Sequence, residues 1–281
     1  MTYFGFLALF LAPPLLVLGL ATQADQQRGI QLPGWLNAWP LSRVILLHVL
    51  LALIYTTPWD NYLVATNVWW YNPELVTGLT FGWVPIEEYT FFILQTLMTG
   101  LWLGFLARRM YTRQSPPSDL PERFARHMRR VASLFLLPVW VGALYSLIIG
   151  WQSSTYLALI LVWALPPLML QLYFGADILW KYRKLVASVL ISTTLYLALA
   201  DALAIQAGTW VINPQQTLNI LLGGVLPIEE FVFFFVTNLL IVFGSVLILA
   251  RESQQRIPPY LLKRLYSAAR PTYNSNTARQ I

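Results

Sequence analysis

The sequence predicts an all-α integral membrane protein: seven transmembrane helices, arranged as two parallel three-helix repeats joined by a linker helix. Three observations predict this fold class. The 281-residue chain is 57% hydrophobic and only 11% charged, whereas roughly a quarter of the residues of a soluble domain are charged. Several uncharged apolar runs are long enough to span a bilayer as helices. Two stretches of the chain are near-copies of each other.

The apolar runs predict seven helices, because lipid offers no hydrogen-bond partner to an exposed backbone. They cover about 3–21, 42–57, 84–106, 131–149, 156–175, 185–201 and 226–249. The fourth and fifth runs share one uncharged stretch that is hinged near 150–154. The first run lacks a preceding basic region and a small-residue cleavage pattern, so it is interpreted as a retained span rather than a signal peptide.

The basic residues predict the orientation of the chain. All 18 Lys and Arg residues fall in alternate connections, after the first, third, fifth and seventh helices. This positive-inside pattern predicts an outside N-terminus and an inside C-terminus. The net charge of +6 therefore reflects topology and contact with anionic lipid, and it argues against a nucleic-acid partner. We expect a multi-pass protein of the cell membrane (inner or plasma membrane).

The internal repeat is centred on two acidic motifs. Residues 84–92 read VPIEEYTFF and residues 226–234 read LPIEEFVFF. Other features recur with them, namely Pro13-Pro14 and Pro166-Pro167, Tyr55/Asp60 and Tyr196/Asp201, and Trp69 and Trp210. The repeats are placed at 1–106 and 153–250, the basic cytoplasmic loop with its linker helix at 107–152, and a partly disordered cytoplasmic tail at 251–281. Because the linker helix returns the chain to its starting side, the acids of both repeats lie at one level, near the outer face.

The doubled acid pairs indicate function, since carboxyl groups are costly in or near hydrocarbon. Proline and acids also suit the first turn of any helix, but such a cap does not need the aromatic residues that follow. Glu88 and Glu230 each share a helix face with two phenylalanines. An acid beside aromatic rings suits carbocation chemistry, because the acid delivers a proton and the rings stabilise the cation. The motif therefore predicts acid chemistry on an apolar substrate in two similar sites.

The candidate site residues follow from the motif and the repeat. The candidate catalytic residues are Glu87, Glu88, Glu229, Glu230, Asp60 and Asp201. The candidate substrate-binding residues are Tyr55, Tyr89, Phe91, Phe92, Tyr196, Phe231, Phe233 and Phe234. Adjacent residues on a helix point about 100° apart. One glutamate of each pair therefore faces the substrate and the other a polar partner across the bundle, and the sequence leaves open which.

Other interpretations of these residues remain open at the sequence level. Asp60 and Asp201 also fit helix ends at the interface. Tyr55 and Tyr196 also fit the interfacial aromatic belt. The same belt is the expected place of Trp69, Trp70, Trp83 and Trp210. Gln95 and Asn238 are expected to form hydrogen bonds between helices, and Gly100 and Gly104 to allow close packing.

The sequence lacks the residues that several other classes of function require. The chain has no cysteine, which excludes disulfides and thiolate metal sites. It shows no glycine-rich dinucleotide or phosphate motif and no histidine cluster for the iron of a desaturase. Neither Asp60 nor Asp201 has the second aspartate that a diphosphate-binding prenyltransferase needs. No cofactor and no metal are therefore predicted.

The doubled Pro-x-Glu-Glu motif in a repeat-built, seven-helix membrane protein resembles the small membrane lycopene cyclases. The motif lies at Pro85, Glu87 and Glu88 and again at Pro227, Glu229 and Glu230, and the resemblance covers roughly residues 3–250. The family occurs as paired half-sized proteins, as fused single chains, and as the cyclase half of fungal bifunctional cyclase/phytoene synthases. No synthase domain accompanies this chain, which looks like the fused cyclase-only form.

The resemblance implies an acid-catalysed isomerisation that closes the linear ends of lycopene to β-ionone rings without electron transfer. It implies lycopene and γ-carotene as substrates, membrane lipid and other carotenoid-pathway enzymes as partners, and no flavin or metal. The glutamates of both motifs would supply acid and base, with Asp60 and Asp201 in support. Whether both repeats are active, and whether one or both ends are cyclised, stays open.

Two other functions fit part of the pattern. A small-solute transporter built from two repeats would also carry intramembrane acids, but it has no need of the phenylalanine pairs. A carotenoid-binding membrane protein without catalysis would bind pigment and leave it unchanged.

Overall fold

The computed structural model describes residues 1–111 and 118–257. Seven helices in these ranges are long and apolar enough to cross a membrane, which confirms the predicted number. The helices are α1 Tyr3–Gln27, α2 Leu41–Ala65, α3 Ile86–Tyr111, α4 Glu122–Ile148, α5 Thr155–Lys181, α6 Arg183–Gln206, α7 Ile228–Leu249 and the short α8 Arg251–Gln254. Part of the predicted basic loop, 112–117, and the predicted disordered tail from 258 lie outside the described residues.

Six of the seven spanning helices are longer than the apolar runs that predicted them, whereas α7 begins at Ile228, two residues later than its run. α2 and α6 continue past Asp60 and Asp201 to Ala65 and Gln206, so the expectation that these aspartates end their helices is wrong. A charged side chain marks the end of an apolar run in the sequence, but it does not end the helix, because the hydrogen bonds of a helix are formed by the backbone. Both aspartates consequently lie one turn inside their helices, where they face the protein interior.

The core lies between α3 and α7. In each of these two helices, 56% of the most apolar stretch is buried inside the protein. α1 and α2 pack on α3, and α5 and α6 pack on α7. The halves of the chain also cross, because α2 packs on α7 and α6 packs on α3. α4 lies at the periphery against α5, and only 6% of its most apolar stretch is buried inside the protein. The crossing contacts place equivalent positions of the two halves around one centre.

Small and polar residues hold the central helices together. A Cβ atom on Gly100 or Gly104 would collide with side chains of α2, so glycine permits the close approach of α2 and α3. The Asn238 side chain accepts a hydrogen bond from Thr99 Oγ1 at 3.0 Å and donates one to Thr194 Oγ1 at 3.4 Å. Gln95 Nε2 donates to α7, at a distance of 3.2 Å. The predicted interhelical roles of these residues are confirmed.

Short strands, which the sequence analysis did not predict, connect the helices at the acid end. They are β1 Trp69–Tyr71, β2 Thr80–Phe81, β3 Val84–Pro85, β4 Trp210–Ile212, β5 Leu221–Leu222 and β6 Leu226–Pro227. β1 and β4 pair antiparallel, with Tyr71 opposite Trp210, while β2–β3 and β5–β6 form hairpins that lead into α3 and α7. Pairing satisfies the backbone groups of loops that must cover a buried site.

Candidate active site

One cavity collects carboxyl groups from both halves of the chain. Asp60, Glu88, Asp201 and Glu230 line it together, between α2, α3, α6 and α7. Asp60 is 1% exposed, Asp201 2% and Glu230 5%, and Glu88 is partly buried. The expectation of two similar sites is therefore wrong. The crossing packing of α2 on α7 and of α6 on α3 merges the equivalent acids into a single centre.

Glu88 is held by two tyrosine hydroxyl groups. Tyr3 Oη donates a hydrogen bond to Glu88 Oε2 at 2.5 Å, and Tyr71 Oη donates to the same oxygen at 3.0 Å. Burial and the negative charge of Glu88 raise the pKa of the Tyr71 phenol well above its ordinary value. Tyr71 therefore keeps its proton and remains a hydrogen-bond donor to the carboxylate.

The other three acids of the cavity accept at most one hydrogen bond each. Glu230 Oε1 accepts one hydrogen bond, from Tyr156 Oη at 2.7 Å. Asp201 Oδ1 accepts one from Trp210 Nε1 at 3.0 Å. Neither carboxyl oxygen of Asp60 meets a hydrogen-bond partner among the described residues. Buried polar groups are nearly always paired in proteins, so an unpaired carboxyl that lines a cavity is available to a ligand.

The other glutamate of each motif faces away from the cavity. Glu87 Oε1 accepts a hydrogen bond from the backbone N–H of Thr77 at 2.6 Å, and Glu229 Oε1 accepts one from Leu218 at 2.7 Å. Both are completely buried against the loop that precedes their helix. Of each pair it is therefore Glu88 and Glu230 that face the cavity, which answers the question that the sequence left open. The expectation that the other glutamate meets a polar partner across the bundle is wrong, because its partner is the backbone of the preceding loop.

Aromatic rings form the walls of the cavity. The predicted residues Phe91, Phe92, Phe233 and Phe234 all line it. The Trp59 ring stacks on Phe233 with centroids 5.7 Å apart, and Phe91 meets Phe234 edge to face at 6.2 Å. The cavity wall also contains aromatic residues that the sequence analysis did not assign to it, namely Tyr3, Phe6, Trp59, Trp69, Tyr71, Tyr156 and Trp210. The expectation that Trp69 and Trp210 belong to the interfacial belt is wrong.

Four predicted substrate-binding residues lie outside this cavity. Tyr89 Oη donates to the Phe81 carbonyl at 2.9 Å, and Tyr196 Oη donates to the Phe10 carbonyl at 2.6 Å. Phe231 packs against the core without lining the cavity. Tyr55 lines a second cavity next to the first. Tyr89 and Phe231 were chosen because they belong to the motif, and Tyr55 and Tyr196 because they recur in the repeat. Neither criterion shows which side chains are turned to the acids.

The repeat contained an unused signal for two of the missed residues. Tyr3 lies ten residues before Pro13, and Tyr156 lies ten residues before Pro166. Aligning the two Pro-Pro pairs would have matched Tyr3 with Tyr156, which bind Glu88 and Glu230. Tyr71, by contrast, aligns with Ile212. That difference leaves Glu230 with one phenol donor where Glu88 has two.

The fold and the site define a class of protein: a multi-helix membrane protein with a buried cluster of carboxyl groups inside an aromatic cavity. The lycopene cyclase family model matches residues 32–106 and 153–247. The chain belongs to the lycopene cyclase family.

Individual relatives agree with this assignment. The lycopene beta-cyclase of Halobacterium salinarum (strain ATCC 29341) is 39% identical over 247 residues, which is 88% of this chain and 95% of the relative. The bifunctional lycopene cyclase/phytoene synthase of Aspergillus niger is 37% identical over 210 residues, 72% of this chain and 34% of that protein. The corresponding protein of Podospora anserina is 36% identical over 203 residues, 70% of this chain and 33% of that protein. No solved structure shows a significant match.

Proposed function

We propose that this chain is a lycopene β-cyclase, which closes the linear ends of lycopene to β-ionone rings and forms γ-carotene and then β-carotene. The observation that carries the proposal is the single cavity in which carboxyl groups from both halves meet a wall of aromatic rings, in a chain of the lycopene cyclase family.

The proposed reaction is an isomerisation that begins and ends with a proton transfer. A carboxylic acid protonates the terminal double bond of the polyene and leaves a cation on the neighbouring carbon. The next double bond attacks that carbon, the six-membered ring closes, and a carboxylate removes a ring proton. Atoms and electrons balance without an oxidant or a reductant, and the proton gained by the base replaces the proton lost by the acid.

The unequal hydrogen bonding of the two glutamates supports different roles for Glu88 and Glu230. Two phenol donors meet one oxygen of Glu88, an arrangement that suits a carboxylate and hence the base. Glu230 receives one phenol donor and is assigned as the acid. Asp60 and Asp201 support them as neighbouring carboxyl groups, while Glu87 and Glu229 position the motif by anchoring the loops before α3 and α7.

The composition of the cavity wall keeps protons in the acid cluster. The side chains that line the cavity in the described part of the chain include no Lys, Arg or His. Four carboxyl groups that share one enclosed space repel one another when they are all ionised. The cluster therefore carries fewer negative charges than it has carboxyl groups, and a proton is available for the first step.

The aromatic wall has two proposed functions in the reaction. The faces of Trp59, Phe233 and the neighbouring rings attract the cation that forms after protonation. The same rings exclude water, which would otherwise trap the cation as an alcohol. The wall thus favours ring closure over hydration.

Expression in a lycopene-accumulating bacterium tests the function. Separation of the extracted pigments is expected to show carotenes with one or two β-ionone rings when the chain is present, and lycopene alone when it is absent. Purified protein that retains lycopene but never converts it would instead favour a carotenoid-binding protein. Proton- or ion-coupled solute uptake without any pigment change would favour a transporter.

The tyrosines that hold the glutamates provide a first mutational prediction. Tyr3→Phe and Tyr156→Phe each remove one hydrogen bond to a carboxyl group, which is typically worth about 1.5–3 kcal/mol when the partner is charged. We expect each variant to cyclise lycopene roughly 10- to 100-fold more slowly, at about 1.4 kcal/mol per factor of ten. Tyr196→Phe is the matched control, since Tyr196 binds a backbone carbonyl outside the cavity. Equal rates in all three variants would contradict the assignment.

The orientation and location of the chain are part of the proposal. The acids lie near the outer face of the cell membrane, with the N-terminus outside and the C-terminus inside. Basic side chains support this, because Arg108 and Arg109 pair with Asp25 where α1 and α3 end, and Lys181 pairs with Glu252 near the end of α5. These charged contacts lie at the helix ends opposite the acid cavity, where the positive-inside rule expects cytoplasmic residues.

Single cysteines test this orientation, because the chain contains none of its own. Glu74→Cys lies in the exposed loop between α2 and α3, and Arg123→Cys lies at the exposed start of α4. We expect a membrane-impermeant thiol reagent to label Glu74→Cys on intact cells and Arg123→Cys only after permeabilisation. The reverse pattern would invert the proposed topology.

The two-repeat arrangement is the remaining structural part of the proposal, with repeats at 1–106 and 153–250 and a linker at 107–152. Matching contacts support it. Tyr3 binds Glu88 as Tyr156 binds Glu230. The loop anchor at Glu87 likewise has its counterpart at Glu229.

A further inference from the structure

A second cavity adjoins the acid cavity. It lies between α2 and α5, over α7, and its volume is about 380 Å³ compared with about 40 Å³ for the acid cavity. Ligand-binding pockets typically occupy about 300–1,000 Å³. Phe92 and Phe233 line both cavities, so these two rings form the boundary between them. We refer to the second cavity as the polyene crevice.

The polyene crevice runs from the acids toward the middle of the bundle. On α7 its wall extends from Phe233 to Ile241, and on α2 from Thr56 to His48. Eight residues of helix rise by roughly 12 Å. The crevice is therefore long and narrow, and it continues directly from the acid cavity along the helix axes.

The wall of the crevice suits an apolar ligand. Most of the lining is hydrocarbon or aromatic, and several of its polar side chains form hydrogen bonds with neighbouring helix groups, although Gln171 Oε1 has no partner among the described residues. Gln171 Nε2 donates to the Leu240 carbonyl at 3.0 Å, and Gln95 Nε2 donates to Thr237 Oγ1 at 3.2 Å. His48 Nδ1 pairs with the backbone oxygen of its own helix at 2.8 Å. These bonded groups are not free to bind a polar solute, and the mainly apolar wall suits a hydrocarbon chain, which has no polar group to leave unpaired.

The crevice opens on the outer surface of the bundle. Leu51 of α2 and Leu170 of α5 line it although their side chains are 52% and 69% exposed. Nearer the acids the two helices are joined, because Tyr55 Oη donates to the Trp163 carbonyl at 2.8 Å and Trp59 Nε1 donates to the Leu159 carbonyl at 3.1 Å. The opening therefore faces the lipid at the depth of Leu51 and Leu170. The contacts of Tyr55 and Trp59 with α5 close the gap between the two helices on the side nearer the acids.

We propose that the polyene crevice binds the linear chain of a carotenoid, which enters sideways from the lipid between α2 and α5. This inference rests on the proposed function. The end of the polyene passes Phe92 and Phe233 into the acid cavity, the adjoining part of the chain fills the crevice, and the remainder leaves through the opening into the bilayer. Because a linear carotenoid is longer than the crevice, an opening to lipid is required.

Blocking the crevice tests the proposal. Ala52→Trp places an indole ring in the crevice, and we expect lycopene conversion to fall by at least about tenfold, equivalent to about 1.4 kcal/mol, mainly through a higher KM. Ala187→Trp on the exposed face of α6, outside both cavities, is the matched control. Leu170→Trp blocks the opening itself, and Leu16→Trp on α1, where Leu16 is 67% exposed, is its control. Because Leu170 is exposed, its variant decides the test if Ala52→Trp does not fold.

A binding measurement separates failure of this inference from failure of the proposed function. Glu230→Gln protein, purified from lycopene-accumulating cells, is expected to retain lycopene, which is quantified by its visible absorbance. Adding Ala52→Trp is expected to reduce the retained pigment about tenfold, whereas adding Ala187→Trp leaves it unchanged. If the Ala52→Trp and Ala187→Trp variants retained equal amounts of lycopene and also converted it equally, the proposal that the crevice binds the polyene would be overturned. An ordinary lipid acyl chain would then be the indicated occupant. Absence of conversion in the unaltered chain would instead overturn the cyclase function.

Discussion

Glu230→Gln is expected to slow lycopene cyclisation by about 10²- to 10⁴-fold, the range that a positioned proton donor contributes to catalysis. The substitution keeps the size of the side chain and its hydrogen bond from Tyr156, but an amide does not release a proton to a double bond. The measurement is the rate of ring formation in isolated membranes that contain equal amounts of each protein.

The neighbouring residue provides the matched control. Glu229 differs from Glu230 by one position, yet its side chain accepts the Leu218 N–H and does not line the cavity. In Glu229→Gln the amide oxygen still accepts that hydrogen bond, so we expect cyclisation within about threefold of the unaltered rate, a change of roughly 0.7 kcal/mol. Similar large losses in both variants would contradict the separation of an anchoring and a proton-donating glutamate.

The contrast within each pair shows what the sequence could and could not predict about the site. The doubled motif identified the acids and the four phenylalanines, because a carboxyl group in an apolar run is a strong signal of function. Helical spacing established that only one glutamate of a pair can face the cavity. It did not show which one, because that depends on where the loop that carries Thr77 or Leu218 packs against the helix. The helical pattern of the motif contains no information about the position of that loop.

The fold, like the site, was predictable from the sequence only in part. Hydropathy predicted seven helices, and the alternate placement of basic residues predicted an orientation that is still to be tested. The pairing of β1 with β4 was not predictable, because strands of three residues carry too little pattern. Tyr71 was missed for the same reason, since it reaches Glu88 from β1 and has no tyrosine at the equivalent position of the second half.

Glu88 and Glu230, one glutamate from each acid pair, line the same cavity, and this leads to a second strong prediction. Glu88→Gln and Glu230→Gln are each expected to eliminate both ring closures, leaving lycopene with neither γ-carotene nor β-carotene in significant amounts. If each half had its own site, either variant would lose roughly half of the activity, a change of only about 0.4 kcal/mol. Pigment separation distinguishes a loss of hundreds-fold from a loss of twofold without ambiguity.

The double variant sharpens the comparison between one site and two. Residues that act as one catalytic unit show strongly non-additive losses, so that removing two of them costs little more than removing one. We therefore expect the Glu88→Gln/Glu230→Gln protein to be about as inactive as each single variant. Two independent sites would behave differently, with single variants that remain active and a double variant that is inactive. Since Asp60, Glu88, Asp201 and Glu230 line the same space, we expect the two halves of the chain to act as two parts of one catalyst, with each lycopene end that is cyclised entering this cavity in turn.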